Sequence, residues 1–221
     1  MFNYSLFNFP DSPLWGAHSS ATTLALANTS ISNHHLQLAW HDWQTSVLQG
    51  TDESRDIAVE RLKDCQQYGH ATLDLQGLNL TELPPHLPNH INTLTISDNR
   101  LEQIAPDSLP ATLKILIACR NPHLSALPDM LPDSLQMIDV ASCSLSHLPE
   151  QVPPALLALF AGKNNLRNFP EALTGLSRHA YIDLSDNPLE LSALQYLCAL
   201  DDVQDYQGPP IKFHMWHGDL A

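Results

Sequence analysis

The sequence predicts a leucine-rich-repeat solenoid with a parallel β-sheet on its concave face, an extended, polyproline-like convex side and an α-helical cap at its N-terminal end. Two observations predict it. The template L-x-x-L-x-L-x-x-N-x-L recurs six times, opening at residues 70, 91, 113, 135, 156 and 179, a period of 21 to 23 residues. Between copies run proline-rich stretches such as Leu83-Pro84-Pro85-His86-Leu87-Pro88 and Leu127-Pro128-Asp129-Met130-Leu131-Pro132. A unit this short cannot bury its apolar face alone, but stacked units share one continuous core.

The elements follow in chain order. Residues 1–33 are rich in Asn, Ser and Thr without apolar periodicity, which predicts a mobile N-terminal segment able to hold a secretion signal. Residues 34–69 predict a helical cap. Leu36, Trp40, Trp43 and Val47 fall at helical spacing before Gly50. A second helix starts near Thr51 or Asp52, with Ile57, Ala58, Arg61, Leu62 and Cys65 as its inner stripe. Residues 70–190 hold the six repeats. Residues 191–221 predict a C-terminal cap and junction, with Leu191, Leu194, Leu197 and Cys198 on a closing helix that Asp201 and Asp202 end.

Each slot of the template has a physical reason. A short strand points alternate side chains inward, so the leucines of each L-x-L stack on their counterparts one repeat away. The Asn sits where the chain turns and its backbone would lose partners; its amide supplies two donors and an acceptor, and stacked copies form a ladder. Cys143 replaces one rung and Leu78 another, and the third repeat carries a one-residue insertion before Leu124. Prolines deny the convex stretches a helix by fixing φ and removing N–H donors.

Composition excludes several function classes. The 221 residues carry 10 Lys plus Arg against 24 Asp plus Glu, a net charge of −14, which repels nucleic acid and acidic membranes. No stretch is apolar enough to span a membrane, and no Lys or Arg precedes Arg55, so the basic region of a secretory signal peptide is missing. Cys65, Cys119, Cys143 and Cys198 are scattered and read as four free thiols of a reducing compartment.

Catalytic and metal chemistry find no footing. Cys119 beside Arg120 is the one thiol with a cationic neighbour, in a slot facing the concave side. His86 and His90 have the spacing of a helical metal pair, but Pro84, Pro85 and Pro88 deny the helix, and His214 and His217 lack a third ligand. There is no Ser/His/acid pattern and no glycine-rich phosphate loop, so no cofactor is expected.

Binding is better supported. The slots flanking the inward leucines face the concave side, and there Ile117, Met137, Phe160 and Tyr181 are apolar where water favours polar groups. Arg100, Arg120, Asp139, Lys163 and Asp183 fringe them, with Arg120 and Lys163 placed to steer an acidic partner segment. Six strands make a face only about 24 Å across. A partner is therefore expected also to touch the loops after Asn99, Asn121 and Asn164, or the helical cap.

The proline-rich repeats, the helical segment with Trp40-His41-Asp42-Trp43 and Glu60-Arg61-Leu62-Lys63-Asp64-Cys65, and the junction Tyr206-x-Gly208-Pro209-x-Ile211-x-Phe213-x-Met215 resemble the IpaH/SspH-type bacterial effectors, and the repeats also those of YopM. The junction is the more specific part, because nothing in solenoid packing demands it. The resemblance implies the repeat portion of an E3 ubiquitin ligase delivered by type III secretion into the host cytoplasm, with a host protein as partner. It also implies a C-terminal ligase domain that the repeats could restrain and whose catalytic cysteine lies in a C-x-D motif. None of the four cysteines is followed by Asp two residues on, so the catalytic domain is expected to be absent from these residues. The alternative is a stand-alone scaffold or adaptor.

Overall fold

A computed structural model describes residues 33–46, 52–201, 203 and 205–214. Two helices, α1 (Asn33–Thr45) and α2 (Arg55–Tyr68), precede six three-residue strands: β1 (Thr72–Asp74), β2 (Thr93–Thr95), β3 (Ile115–Ile117), β4 (Met137–Asp139), β5 (Ala158–Phe160) and β6 (Tyr181–Asp183). Helix α3 (Leu191–Asp201) and a two-residue strand β7 (Ile211–Lys212) follow. All seven strands form one parallel sheet in sequence order. The register carries Leu73, Leu94, Leu116, Ile138, Leu159, Ile182 and Ile211 across it in a single row. The first six of these are buried, as are Leu75, Ile96, Ala118, Val140, Ala161 and Leu184 two residues on, as the template requires.

The ladder is present. Asn99 Oδ1 accepts from the Leu78 and Leu80 amides at 3.1 and 2.9 Å, and its Nδ2 donates to the Leu75 and Ile96 carbonyls. Asn121, Asn164 and Asn187 repeat the pattern on the Leu101, Leu145 and Leu166 amides. The convex stretches carry turns and bends, with a 3-10 helix at Glu171–Gly175.

The helical cap differs from expectation in its phase. Helix α2 starts at Arg55, because Asp52 is taken by Arg100 and Asn79, and Glu53 by Arg55 and Thr81. Its buried face is Arg55, Ala58, Val59, Leu62 and Cys65, while Ile57 is exposed. Arg55 binds the cap together: its Nη1 donates to the Trp43 carbonyl at 2.8 Å and reaches Glu82 at 3.1 Å, and its guanidinium lies 4.5 Å from the Trp43 ring centre. Trp40 Nε1 donates to the Pro85 carbonyl at 2.9 Å. The expected mobile segment lies outside the described residues except for Asn33, and Val47 lies outside them too.

At the other end α3 buries Ala193, Leu194 and Leu197, leaving Leu191 and Cys198 exposed, one helical step off the stripe. The junction proves to be part of the solenoid. Tyr206 Oη donates to the Pro209 carbonyl at 3.1 Å, and β7 then pairs with β6. Ile211 and Phe213 pack on the core, while Lys212 and His214 alternate to the concave side. The Y-x-G-P-x-I-x-F pattern is therefore what adds a strand and covers the β6 edge.

Candidate functional site: the concave wall

The concave wall is built by one repeated backbone device. After each strand, the residue just before the ladder slot takes left-handed geometry: Gly77, Asp98, Arg120, Ser142, Lys163 and Asp186, with φ between 55 and 70°. The amides of the first five donate to the next repeat at 2.8–3.1 Å, which extends the ladder beyond the strand and throws the side chains onto the rim. Seven strands make a wall about 29 Å across, wider by one strand than expected.

Several expected contact residues are engaged inside the chain. Arg100 forms a two-pronged ion pair with Asp52, at 2.8 and 3.0 Å, and so ties the second repeat to the cap. Arg120 grips Asp98 with two nitrogens, and Asp98 also accepts from Gln76 at 2.6 Å. This contact with Arg120, opposed by partial burial and aided by Gln76, holds the Asp98 carboxyl below the usual carboxylate range. Asp183 accepts from the Ser185 amide at 2.9 Å, from the Ser185 hydroxyl, and from Lys212 Nζ at 2.9 Å. Burial pushes its pKa up, but Ser185 and Lys212 more than offset that and hold it low.

Two expectations are corrected outright. Met137 is 2% exposed, lying in register between Ile115 and Ala158, and Asp139 is 4% exposed between Ile117 and Phe160. A side chain in mid-sheet has neighbours at strand spacing on both sides, and inward curvature draws them closer. Asp139 turns back to accept the Ala141 amide at 3.0 Å, as Asp74 does for Gln76 and Asp183 for Ser185, so this aspartate braces the strand end. Cys119 is also buried, 3.2 Å from the Ser97 hydroxyl, and burial raises its pKa despite Ser97 and Arg120. Cys143 is pushed up to about 11, mainly by burial. Neither is a poised nucleophile.

The solvent-facing remainder lies on β3, on β5 and β6, and on the rim after β5. Ile117 and Phe160 are half-buried, Tyr181 is 36% exposed and Lys163 is exposed. The Phe160 and Tyr181 rings stand 5.3 Å apart between centres, within the range of favourable aromatic pairs. The sequence reading missed Lys212 and His214, which extend the wall over β7, His214 Nδ1 lying 2.9 Å from Asp186. Their signal was the alternation Ile211-Lys212-Phe213-His214, apolar in and polar out. Among the described residues no group of three or more His, Cys, Asp and Glu side chains could hold a metal ion, and no helix is long and apolar enough to cross a membrane.

No family model matches the chain. It is 33% identical to the E3 ubiquitin-protein ligase IpaH9.8 of Shigella boydii serotype 18, an alignment covering 81% of this chain and 40% of that protein. It is 33% identical over 104 residues to the E3 ubiquitin-protein ligase SspH1 of Salmonella typhimurium, which covers 47% of this chain and 15% of that one. This chain is homologous to the leucine-rich-repeat region of the IpaH/SspH-type effectors. A solved structure of YopM from Yersinia enterocolitica WA-314 matches with a TM-score of 0.63 and 34% identity, over 71% of this chain and 38% of that one. The chain thus spans about 40% of the length of IpaH9.8, within which these effectors carry their repeats.

Proposed function

We propose that the chain is the substrate-recognition portion of a bacterial type III secreted effector of the E3 ubiquitin ligase class. It grips a host protein on the concave wall in the host cytoplasm, and the transfer chemistry belongs to a domain outside these 221 residues. The observation that carries the reading is the pairing of homology to ligase repeats with a wall whose solvent-facing side chains include Ile117, Phe160, Tyr181 and Lys163. An aromatic pair beside a charged rim is the anatomy of a protein-binding anchor. The cysteines support it from the other side, since three are buried and none has an Asp two residues on.

A photo-crosslinking residue placed at Tyr181, compared with one at Met130 on the convex side, tests the reading. Met130 is the more exposed at 69%. Crosslinking to a host protein at 181 and not at 130 is expected; adducts at 130 with none at 181 would move the interface off the wall. The likeness to YopM favours a second reading, a scaffold that needs no ligase domain. A reading frame continuing past Ala221 into a C-x-D motif decides for the ligase.

A further inference from the structure

Resting on the concave wall as the partner-binding face, we infer that the partner offers an extended acidic segment: a carboxylate side chain for Lys163 and, four or five residues away, a bulky apolar side chain for Tyr181. Four cations stand on the wall and its margins. Arg100 is neutralised by Asp52, Arg120 by Asp98 and Lys212 by Asp183. Lys163 is exposed and has no side-chain partner among the described residues.

Its backbone sharpens the point. Lys163 has a φ of 58°, a conformation that Gly, Asn or Asp adopts more cheaply. At the same slot two repeats earlier, Arg120 gains an ion pair in compensation, and Lys163 gains none among the described residues. Of the acids nearest in register, Asp183 is held by Lys212 and Ser185, and Asp186 is hydrogen-bonded to His214. An open cation on the wall of a −14 chain selects a carboxylate rather than a second cation.

Tyr181 supplies the other half. Its ring is exposed and buttressed from below by Phe160. Tyr181 pairs in register with Ala158, five residues before Lys163 on the neighbouring repeat. Ala158 and Lys163 are therefore at most about 17 Å apart, which five residues of extended chain can span.

A random dodecapeptide library displayed on phage and selected against the full 221-residue chain tests this. Enriched peptides should carry Asp or Glu four or five positions from an aromatic or large aliphatic residue. One such peptide, synthesised, should bind Lys163→Asn about tenfold more weakly, and lose its salt dependence. Asn suits left-handed geometry, so the variant's melting temperature should hold or rise, which separates lost recognition from lost folding. Peptides without acidic residues, no enrichment at all, or undiminished binding to Lys163→Asn would each overturn the inference. A Tyr181→Ala chain run in parallel distinguishes the two readings. If it loses the selected peptides and these carry no acid, the wall is the binding face and only the acidic partner fails; if it keeps them, the wall fails as well.

Discussion

Cys143 sits in a slot where an asparagine should close the ladder, and the reason lies one repeat upstream. In the other rungs Asn Oδ1 accepts the amide two residues past the preceding slot: Leu80, Leu101, Leu145 and Leu166. The third repeat's insertion shifts Leu124 by one position, and its amide donates instead to the Asn121 carbonyl at 3.0 Å. The donor is already satisfied, so the rung above needs no acceptor. A thiol that donates weakly to the Ala118 carbonyl at 3.4 Å and accepts weakly from the Asn121 amide suffices. Insertion and cysteine compensate one another. Asn164→Ala should therefore cost about 2–3 kcal/mol, because it strands the Leu145 amide and the Val140 carbonyl. Cys143→Asn should change stability by less than about 1 kcal/mol, since its new oxygen meets the Asn121 amide but finds no second donor at Leu124. Urea unfolding of both variants checks the pair, and a stabilised Cys143→Asn chain would show that Leu124 still seeks an acceptor.

At the scale of elements, the two ends of the sheet need different closures. Helix α2 covers the β1 edge, with Arg61 Nη1 donating to the Asp74 carbonyl at 2.9 Å. At the far end β7 covers the β6 edge, and Gly208 makes that possible: a Cβ there would collide with the Thr174 carbonyl and the Tyr206 hydroxyl. Gly208→Ala should lower stability by about 1–3 kcal/mol. Hydrogen exchange should accelerate first at Leu184, whose amide donates to the Lys212 carbonyl at 2.7 Å; unchanged protection there would mean that β7 is not what shields β6.

The same contrast explains what was legible in the sequence. The leucine columns and asparagine rungs repeat at a fixed period, so six short strands could be located to the residue. Asp98 and Arg120 are also one period apart and of opposite sign, and their pairing was readable on that rule. Lys212 reaches Asp183 across a 29-residue step that contains α3, and periodicity says nothing about it. Burial of Met137 and Asp139 depends on the neighbours that curvature brings together. Alternation marks which face a side chain points to, and not how much of that face stays open.

At the scale of the whole molecule, the acid balance sets how the solenoid responds to pH. Glu53, Asp98 and Asp183 all have carboxyls held below their ordinary range. For Glu53 burial pushes the pKa up, while hydrogen bonds and charge from Arg55, with Thr81, more than reverse it. Its side chain and that of Arg55 are 4% and 7% exposed, and together they join the cap to the first repeat. A group whose pKa is lower folded than unfolded contributes stability that is complete above the unfolded value, about 4.3 for Glu. That contribution is lost as pH falls through the folded value. Glu53→Gln should thus be destabilised by about 2–3 kcal/mol at pH 7, with Arg55 left buried beside Glu82 alone. The gap to the unsubstituted chain should narrow as pH falls below the unfolded value and goes on through the lower folded one, as Glu53 itself becomes neutral. Urea midpoints measured across that range give the gap directly. A difference that stays constant in acid would mean that Glu53 acts through shape and packing, and that its charge contributes nothing to holding the cap on the repeats.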